Sequence, residues 1–440
     1  MLQIANDSTT PFGVQQNALI QLKNIICKNW KYGSDAELNK SLRFEEEDKI
    51  IIINEEEKDH IRKNIFNTYT ALTKKLLRKQ LSECIRKISK LELSDKFAFI
   101  IDEIISSFSS GEDNKIFAGI EVFYHISRIY SFESENYKMP YLNAFNRLND
   151  HLLNFAVGLI DKMDNSEACY IIYKILKTFC LTSYTDLPDI IRDPSNFEKW
   201  MKIHFYVLQK KTQGELIKKT NKPEELKILE KNIYWKIKKI AIKNIFTYYT
   251  KNSKTNKGDS EKVKNFKKLI KNEYLLKFLE LCLNILTENR TEFVADTCVG
   301  YVYKILTEFL RNDHHIDVIE KNLEGILKEN IVQSAFMRSE DIEMYKRDVK
   351  DYVLREFDDF DSFFSERENS GIFLKEISNY RKKVNKKREK NPCYFENILK
   401  YIVSVIETYD NQIKAGNQTD FRIKEAGLYL LENLHDPMIK

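Results

Sequence analysis

The sequence predicts an all-α protein, an α-solenoid of stacked antiparallel helix pairs, and three observations carry that expectation. Glycine and proline are scarce, 12 and 7 in 440 residues, where average usage of about 7% and 5% would supply more than twice as many of each. So few breakers leave room for long helices and few tight turns. Apolar residues recur at three- and four-residue steps through nearly every segment, the mark of one buried helical face, and no run of period-two alternation competes with it. Polar breaks then fall so that two successive helices take about 40 residues, the repeat length of HEAT or armadillo units. Such a pair cannot cover its own apolar face; stacking on its neighbours does. At that period the chain holds roughly eight to ten units.

Taken in order, the segments support that register. Gln21 to Trp30 reads QLKNIICKNW. Leu22, Ile25 and Ile26 make its apolar stripe, Lys23, Asn24 and Lys28 lie around it, and Trp30 reads as a packing residue at the helix end. The runs FEEEDK and NEEEKDH read as solvated first turns, where the positive end of the helix dipole favours carboxylates, rather than as catalytic pairs. In KKLLRKQLSECIRKISKLEL one face collects Leu77, Leu81, Cys84, Ile85, Ile88 and Leu91, and KFAFIIDEIISSF does the same from Phe97 to Phe108. SSGEDN interrupts with turn composition. Further helices follow, among them LNAFNRLNDHLLNFAVGLIDKM, EACYIIYKILKTFCLTSY and EFVADTCVGYVYKILTEFLR. Pro140, Pro188, Pro194, Pro223 and Pro392 are expected between helices, since one inside would cost about 3 kcal/mol. KTQGELIKKTNKPEE and KNSKTNKGDSEK are loops too short to link separate domains.

Several functions are excluded or left without support. The balance of 71 Lys+Arg against 66 Asp+Glu gives +5, too small an excess to imply nucleic acid by itself. Seven scattered cysteines, an odd number without a CxxC pair, read as reduced thiols, mostly buried, of an intracellular protein. The opening MLQIANDSTTPF lacks a secretory signal pattern, and LLNFAVGLI falls far short of the ~20 apolar residues of a membrane span. A soluble cytoplasmic or nuclear protein is expected. No two glycines stand closer than Gly111 and Gly119, which excludes both familiar phosphate loops. His314 and His315 on a helix would point about 100° apart and could not share a metal as an i, i+4 pair does. No cofactor, metal or catalytic residue is expected. The basic run RKKVNKKREK, Arg381 to Lys390, reads as a solvated helix end, with phosphate contact or nuclear localisation as the functional alternatives.

Four stretches resemble the importin-β-like karyopherins, and within them the importin-seven and importin-eight branch. LQIANDSTTPFGVQQNALIQLKNIICKNW looks like the family's first repeat, a short helix end followed by a second helix with Lys23, Asn24 and Trp30. NEEEKDHIRKNIFNTYTALTKKLLRKQLSECIRKI is similar to repeat two, with its acidic turn and a helix bearing Gln80 and Leu81. YWKIKKIAIKNIFTYYTK resembles the Trp- and Lys-rich inner helix before repeat six, and DYVLREFDDFDSFFS, Asp351 to Ser365, the segment where the acidic central part begins. The first repeat looks truncated, and family members are about twice as long as this chain, so the resemblance stops inside what looks like their middle.

The resemblance implies a nuclear transport receptor, not an enzyme, with residues 1–135 as N-terminal HEAT repeats that bind Ran and 136–440 continuing the same solenoid. Inner helices of the first repeats would receive the small GTPase Ran in its GTP form. Lys23, Asn24, Lys28, Gln80 and Arg86 become its candidate contacts, and Asp358, Asp359 and Asp361 the acidic contact to Ran's basic surface. Basic cargo such as ribosomal proteins or histones and the FG repeats of nucleoporins are the other implied partners, with shuttling between cytoplasm and nucleus through nuclear pores. Direct nucleic-acid binding and membrane insertion are not implied. An exportin of the same superfamily, of the importin-α recycler type, and a Ran-independent HEAT scaffold are the alternatives.

Overall fold

The computed structural model describes residues 1–31, 53–212, 214–220, 222–356, 365–384 and 387–435. Apart from one short hairpin, the regular structure of the described residues is helical, and the helices gather into two compact units, 1–192 and 193–440. Each unit is a stack of helix pairs of the HEAT type.

The first unit contains α1 (Leu2–Asn6), α2 (Phe12–Asn29), α3 (Glu55–Ala71), α4 (Lys75–Glu92), α5 (Ile100–Phe108), α6 (Asp113–Tyr130), α7 (Glu135–Leu159), α8 (Ser166–Thr182) and the short α9 (Asp189–Arg192). Odd-numbered helices from α1 to α7 each pack on the helix that follows, and α2, α4, α6 and α8 lie side by side as a row of second helices. The core runs between the rows through Leu22, Ile65, Leu81, Ile85, Phe123, Phe145 and Ile172. The acidic start of α3 is a first turn, as the sequence predicts: Asn54 and Glu57 close a capping box, with Asn54 Oδ1 accepting from the Glu57 amide at 2.8 Å. FEEEDK lies outside the described residues.

Pro140 departs from expectation, for it lies inside α7. It stands in the second turn, so only one backbone hydrogen bond near the helix start is lost. Packing on both sides holds the turn in helical form. Lys138 Nζ donates to the Thr182 carbonyl at 2.8 Å, and the buried Tyr141 stacks on Tyr130 at 5.4 Å while its hydroxyl bonds Ser127 at 2.9 Å. These contacts tie α7 into the first unit, which runs to Arg192.

The second unit contains α10 (Pro194–Gln209), α11 (Pro223–Lys231), α12 (Ile233–Asn252), α13 (Glu261–Leu269), α14 (Leu275–Thr291), α15 (Asp296–Arg311), α16 (Ile316–Gly325), α17 (Val332–Ser334), α18 (Ser339–Arg347), α19 (Val349–Glu356), α20 (Glu366–Ser378), α21 (Phe395–Lys414) and α22 (Arg422–Asn433). Turns of π-helix, Ile270–Tyr274 and Ile326–Ile331, join α13 to α14 and α16 to α17. Here α12, α15, α20 and α22 form the second-helix row. Pro194 and Pro223 occupy the first position of their helices, where a missing N–H costs nothing.

The basic run is not a helix end. Lys383–Val384 and Lys387–Arg388 pair as β1 and β2 of a short antiparallel hairpin between α20 and α21. Its charges find partners off the hairpin, which replaces helical propensity as the deciding influence. The two histidines also lie in a loop, with His315 in the left-handed region at φ 47° just before α16.

Both units cap helix ends with buried cations from neighbouring helices. Arg78 Nε donates to the Leu72 carbonyl at the end of α3 at 2.5 Å, and Lys238 Nζ to the Leu208 carbonyl at the end of α10 at 3.0 Å. The last carbonyls of a helix have no intrahelical donor and carry partial negative charge, so each ammonium or guanidinium satisfies an orphan acceptor. A pairwise packing contact thereby becomes a fixed register.

Candidate partner-binding surface on the second helices

Lys23, Asn24 and Lys28 project from α2, Gln80 and Arg86 from α4, and the two helices pack directly against each other. Leu22 and Ile26 are buried, which turns Asn24 and Lys28 outward and leaves Lys23 half-buried. Arg86 reaches Glu83 one turn back at 2.7 Å. Around the half-buried Cys27 thiol stand Lys87, Glu83, Lys23 and Arg86; burial raises its pKa and the three cations oppose the rise. Two of the five residues predicted on these helices, Lys23 and Arg86, therefore share one electrostatic neighbourhood.

That neighbourhood continues along the row. His125 on α6 is pushed down to about 3, first by burial and then by Lys174 on α8, Arg128 on α6 and Arg86 on α4. Its ring Nδ1 is buried without a hydrogen-bond partner. Lys23, Arg86, Lys87 and Arg128 thus mark a basic stripe across α2, α4 and α6, with Lys174 of α8 buried beneath it, and a neutral His125 adds no charge to it. An acidic protein surface is what such a stripe complements.

Glu121 anchors the stripe from below. Only 8% exposed, it accepts from the Tyr69 hydroxyl at 2.8 Å and the Tyr170 hydroxyl at 2.9 Å, and pairs with Arg78 at 3.7 Å and Lys174 at 3.8 Å. Lys174 also sits 3.9 Å over the Tyr124 ring. Burial pulls its pKa down to about 8, with Glu121 resisting the fall. Four helices meet at this carboxylate: α3 through Tyr69, α4 through Arg78, α6 through Glu121 and α8 through Tyr170 and Lys174. Glu121, Lys87, Arg128 and Lys174 are not among the residues predicted from the sequence. A signal existed for Glu121, a lone carboxylate in the apolar run AGIEVFY, because burying a charge demands partners.

Trp30 ends α2 as a packing residue, 1% exposed. Its indole N–H donates to Glu92 at 3.0 Å, and the same carboxylate takes Arg62 Nε at 2.7 Å and Nη2 at 2.9 Å. Arg62 lies 5.4 Å over the Trp30 ring and also reaches Glu55 at 2.8 Å and Asp59. The end of α2 is thereby joined to α3 and α4 at the edge of the stripe. Asp358, Asp359 and Asp361 lie outside the described residues.

In the second unit a groove of about 300 Å³ opens between α10 and α14, lined by Phe205, Tyr206, Leu281 and the stems of Lys202 and Lys277. Elsewhere in that unit Glu366, at the start of α20, faces Asp296, at the start of α15. Asp296 Oδ1 accepts the Glu366 amide at 3.0 Å and its Oδ2 accepts Arg338 at 2.6 Å. Ser334 at 2.6 Å and Asn289 at 2.8 Å donate to the Glu366 carboxyl. Burial and the Asp296 charge nevertheless push Glu366 up to about 7. Among the described residues no group of three or more His, Cys, Asp or Glu is placed to hold a metal, and no helix is long and apolar enough to cross a membrane. The seven cysteines are free thiols, five of them buried.

Stacked helix pairs, with a row of second helices in each unit, define a HEAT-repeat protein. Comparison with known proteins narrows the class. Residues 1–71 match the family described as Importin-beta N-terminal domain. The "Importin beta-like SAD2 homolog" of Arabidopsis thaliana is 23% identical over 442 residues, covering 100% of this chain and 39% of the relative. "Exportin-2" of Homo sapiens is 24% identical over 356 residues, 78% of this chain and 33% of the relative. The solved structure of "The exportin Cse1 in its cargo-free, cytoplasmic state" superposes with a TM-score of 0.69 at 17% identity, over 98% of this chain and 42% of that one. The chain is similar at its N-terminus to the importin-β N-terminal domain and over most of its length to importin- and exportin-named karyopherins, and it spans between a third and two fifths of the length of these sequence relatives.

Proposed function

We propose that the chain acts as an importin-like nuclear transport receptor that binds Ran-GTP on the second helices of its first unit and moves protein cargo through nuclear pores. The observation that carries this reading is the basic stripe on α2, α4 and α6, within and beyond the region that matches the importin-β N-terminal domain. Lys23, Asn24, Lys28, Gln80 and Arg86 are the proposed contacts on α2 and α4, extended by Lys87 and Arg128. Asp358, Asp359 and Asp361 are proposed to meet a basic patch of the same GTPase, on the family resemblance alone.

The mechanism is a coupling of two binding equilibria. Ran-GTP and cargo would bind mutually straining parts of one stack, so each lowers the affinity for the other by the same factor. Small changes at successive repeat interfaces add up along a solenoid, which lets a contact on α2 and α4 act at a distance. No bond is made or broken by the protein. Basic cargo such as ribosomal proteins or histones suits the Glu- and Asp-rich turns, and the α10/α14 groove, walled by Phe205, Tyr206 and Leu281, suits a phenylalanine of an FG repeat. Residence would alternate between cytoplasm and nucleus, by way of the nuclear pore.

A second reading, an exportin, is supported by the similarity to Exportin-2, at 24% identity over 78% of the chain against 23% over 100% for the importin-β-like relative. The sign of the coupling separates the two: cargo affinity falls with Ran-GTP for an importin and rises for an exportin. The test of the shared claim is capture of Ran loaded with GTP or GDP on the immobilised chain. Retention of the GTP form alone supports the receptor reading, and equal or absent retention would leave a Ran-independent scaffold.

A further inference from the structure

Helices α15 and α21 end in the same backbone motif, and the residue at its turning point differs. After α21 the amides of Gly416 and Asn417 bond back to the carbonyls of Ile413 and Gln412, with Gly416 at φ 80°. After α15 the amides of Asp313 and His314 bond back to Leu310 and Phe309, with Asp313 at φ 51°. The left-handed position of this Schellman motif favours glycine, which carries no Cβ. At the end of α15 it holds a carboxylate instead.

That carboxylate grips the basic hairpin. Asp313 Oδ2 takes Lys383 Nζ at 2.5 Å and Arg388 Nη2 at 3.1 Å, while Glu320 on α16 takes Lys382 Nζ at 2.5 Å and the Tyr394 hydroxyl. Arg388 lies 5.9 Å over the Tyr380 ring, and Tyr380 stacks on Tyr394 at 6.3 Å. The hairpin has two residues in each strand, too few to hold alone in water. Its side chains are about half exposed, 48% for Lys382, 52% for Lys383 and 42% for Arg388, so each ion pair is individually weak and open to screening. Residues 381–390 carry seven Lys or Arg and one Glu, and Lys387 and Lys390 are exposed. The hairpin therefore has more positive charge than its two carboxylates neutralise.

We propose that this hairpin is an electrostatic latch, in which Asp313 and Glu320 stand in for the carboxylates of an acidic polypeptide segment that opens the latch by displacing them. The chemistry of the occupant is read from the present one, two single carboxylates spaced along a chain, each accepting from an ammonium group. Surplus cations at Lys387 and Lys390 give the incoming segment a first foothold before exchange. The proposal does not depend on Ran binding or on transport.

Cys393 reports the latch. Its Sγ accepts the Lys382 amide at 3.3 Å, and its own amide bonds the Tyr380 carbonyl at 2.9 Å. Thiol labelling of the full chain, read by mass spectrometry, compares Cys393 with Cys27, the other half-buried thiol and one that lies in the first unit. Raising salt from about 0.05 to 0.5 M shortens the Debye length severalfold and is expected to speed Cys393 labelling several-fold with Cys27 unchanged. Poly-L-glutamate at low salt is expected to do the same. Asp313→Gly with Glu320→Gln keeps the backbone motif and removes the grip: labelling should be fast at every salt concentration, and poly-L-glutamate should bind several-fold more tightly. Glu320→Gln alone should give an intermediate rate. Labelling of Cys393 that ignores both salt and the variants would overturn the latch. Acceleration by a single-stranded oligonucleotide but not by poly-L-glutamate would overturn the acidic-polypeptide assignment.

Discussion

The two units treat a carboxylate among their second helices in opposite ways. In the first, Glu121 has two tyrosine hydroxyls and two buried cations around it, and it joins four helices. In the second, Glu366 faces the Asp296 carboxylate, which already holds Arg338, and its pKa rises to about 7. One arrangement needs its charge; the other is strained by it. The same repeat geometry can thus give a carboxylate locked by its partners or a junction whose charge is easily removed.

The largest expected effect is on Glu121. Glu121→Ala leaves Arg78 and Lys174, both under 10% exposed, without their carboxylate, and breaking a buried pair from one side costs about 3–5 kcal/mol. Denaturant unfolding checks it. Glu366→Gln should cost less than about 1 kcal/mol at pH 7, since it removes a disfavoured charge and keeps a hydrogen-bonding side chain in place. Equal losses in the two variants would erase the contrast between the units.

Acid sharpens it further, because the two units titrate with opposite signs. His125 falls from an ordinary 6.5 to about 3, so the unfolded chain binds more protons between those values, and this contribution to stability is lost as pH falls from about 6.5 to 3. Glu366 rises from 4.5 to about 7, so the folded chain binds more protons there, and its contribution is complete below about 4.5 and lost as pH rises towards 7. Midpoints of thermal unfolding for His125→Gln and Glu366→Gln, each subtracted from the parent across pH 4 to 8, should slope in opposite directions. Parallel slopes would remove the proposed electrostatic difference.

The smallest effect on stability is expected where binding should suffer most. Charge reversal of the half-buried Lys23 and the exposed Lys28 together should change stability by no more than about 0.5 kcal/mol and leave helical circular dichroism intact. The same change should weaken binding of Ran-GTP at least about tenfold, near 1.4 kcal/mol. Lost helicity would assign those lysines to the fold instead.

Much of the fold was legible because its rule is local. Period-three-and-four stripes such as Leu77, Leu81, Ile85 and Ile88 mark the buried side of a helix without knowledge of its neighbours, and all four are buried. Trp30 was legible as a helix-end packing residue for a similar reason. Pro140 misled because its cost is local while Tyr141 and Lys138, which hold the turn, gain their partners from helices α6 and α8. The basic run misled likewise: nothing within Arg381 to Lys390 announces Asp313 and Glu320, some seventy residues earlier. On the candidate surface, Lys23 and Arg86 could be named from family resemblance, whereas the stripe that joins them to Arg128 depends on helix-to-helix register, which no single segment encodes.

The central claim is tested most directly by measuring the affinity of the full chain for Ran loaded with a non-hydrolysable GTP analogue and with GDP, alongside the Lys23 and Lys28 charge-reversal variant. The account predicts tight binding of the GTP form, at least tenfold weaker binding of the GDP form, and loss of most of that difference in the variant. Equal affinity for the two nucleotide states, or a variant that binds as well as the parent, would contradict it.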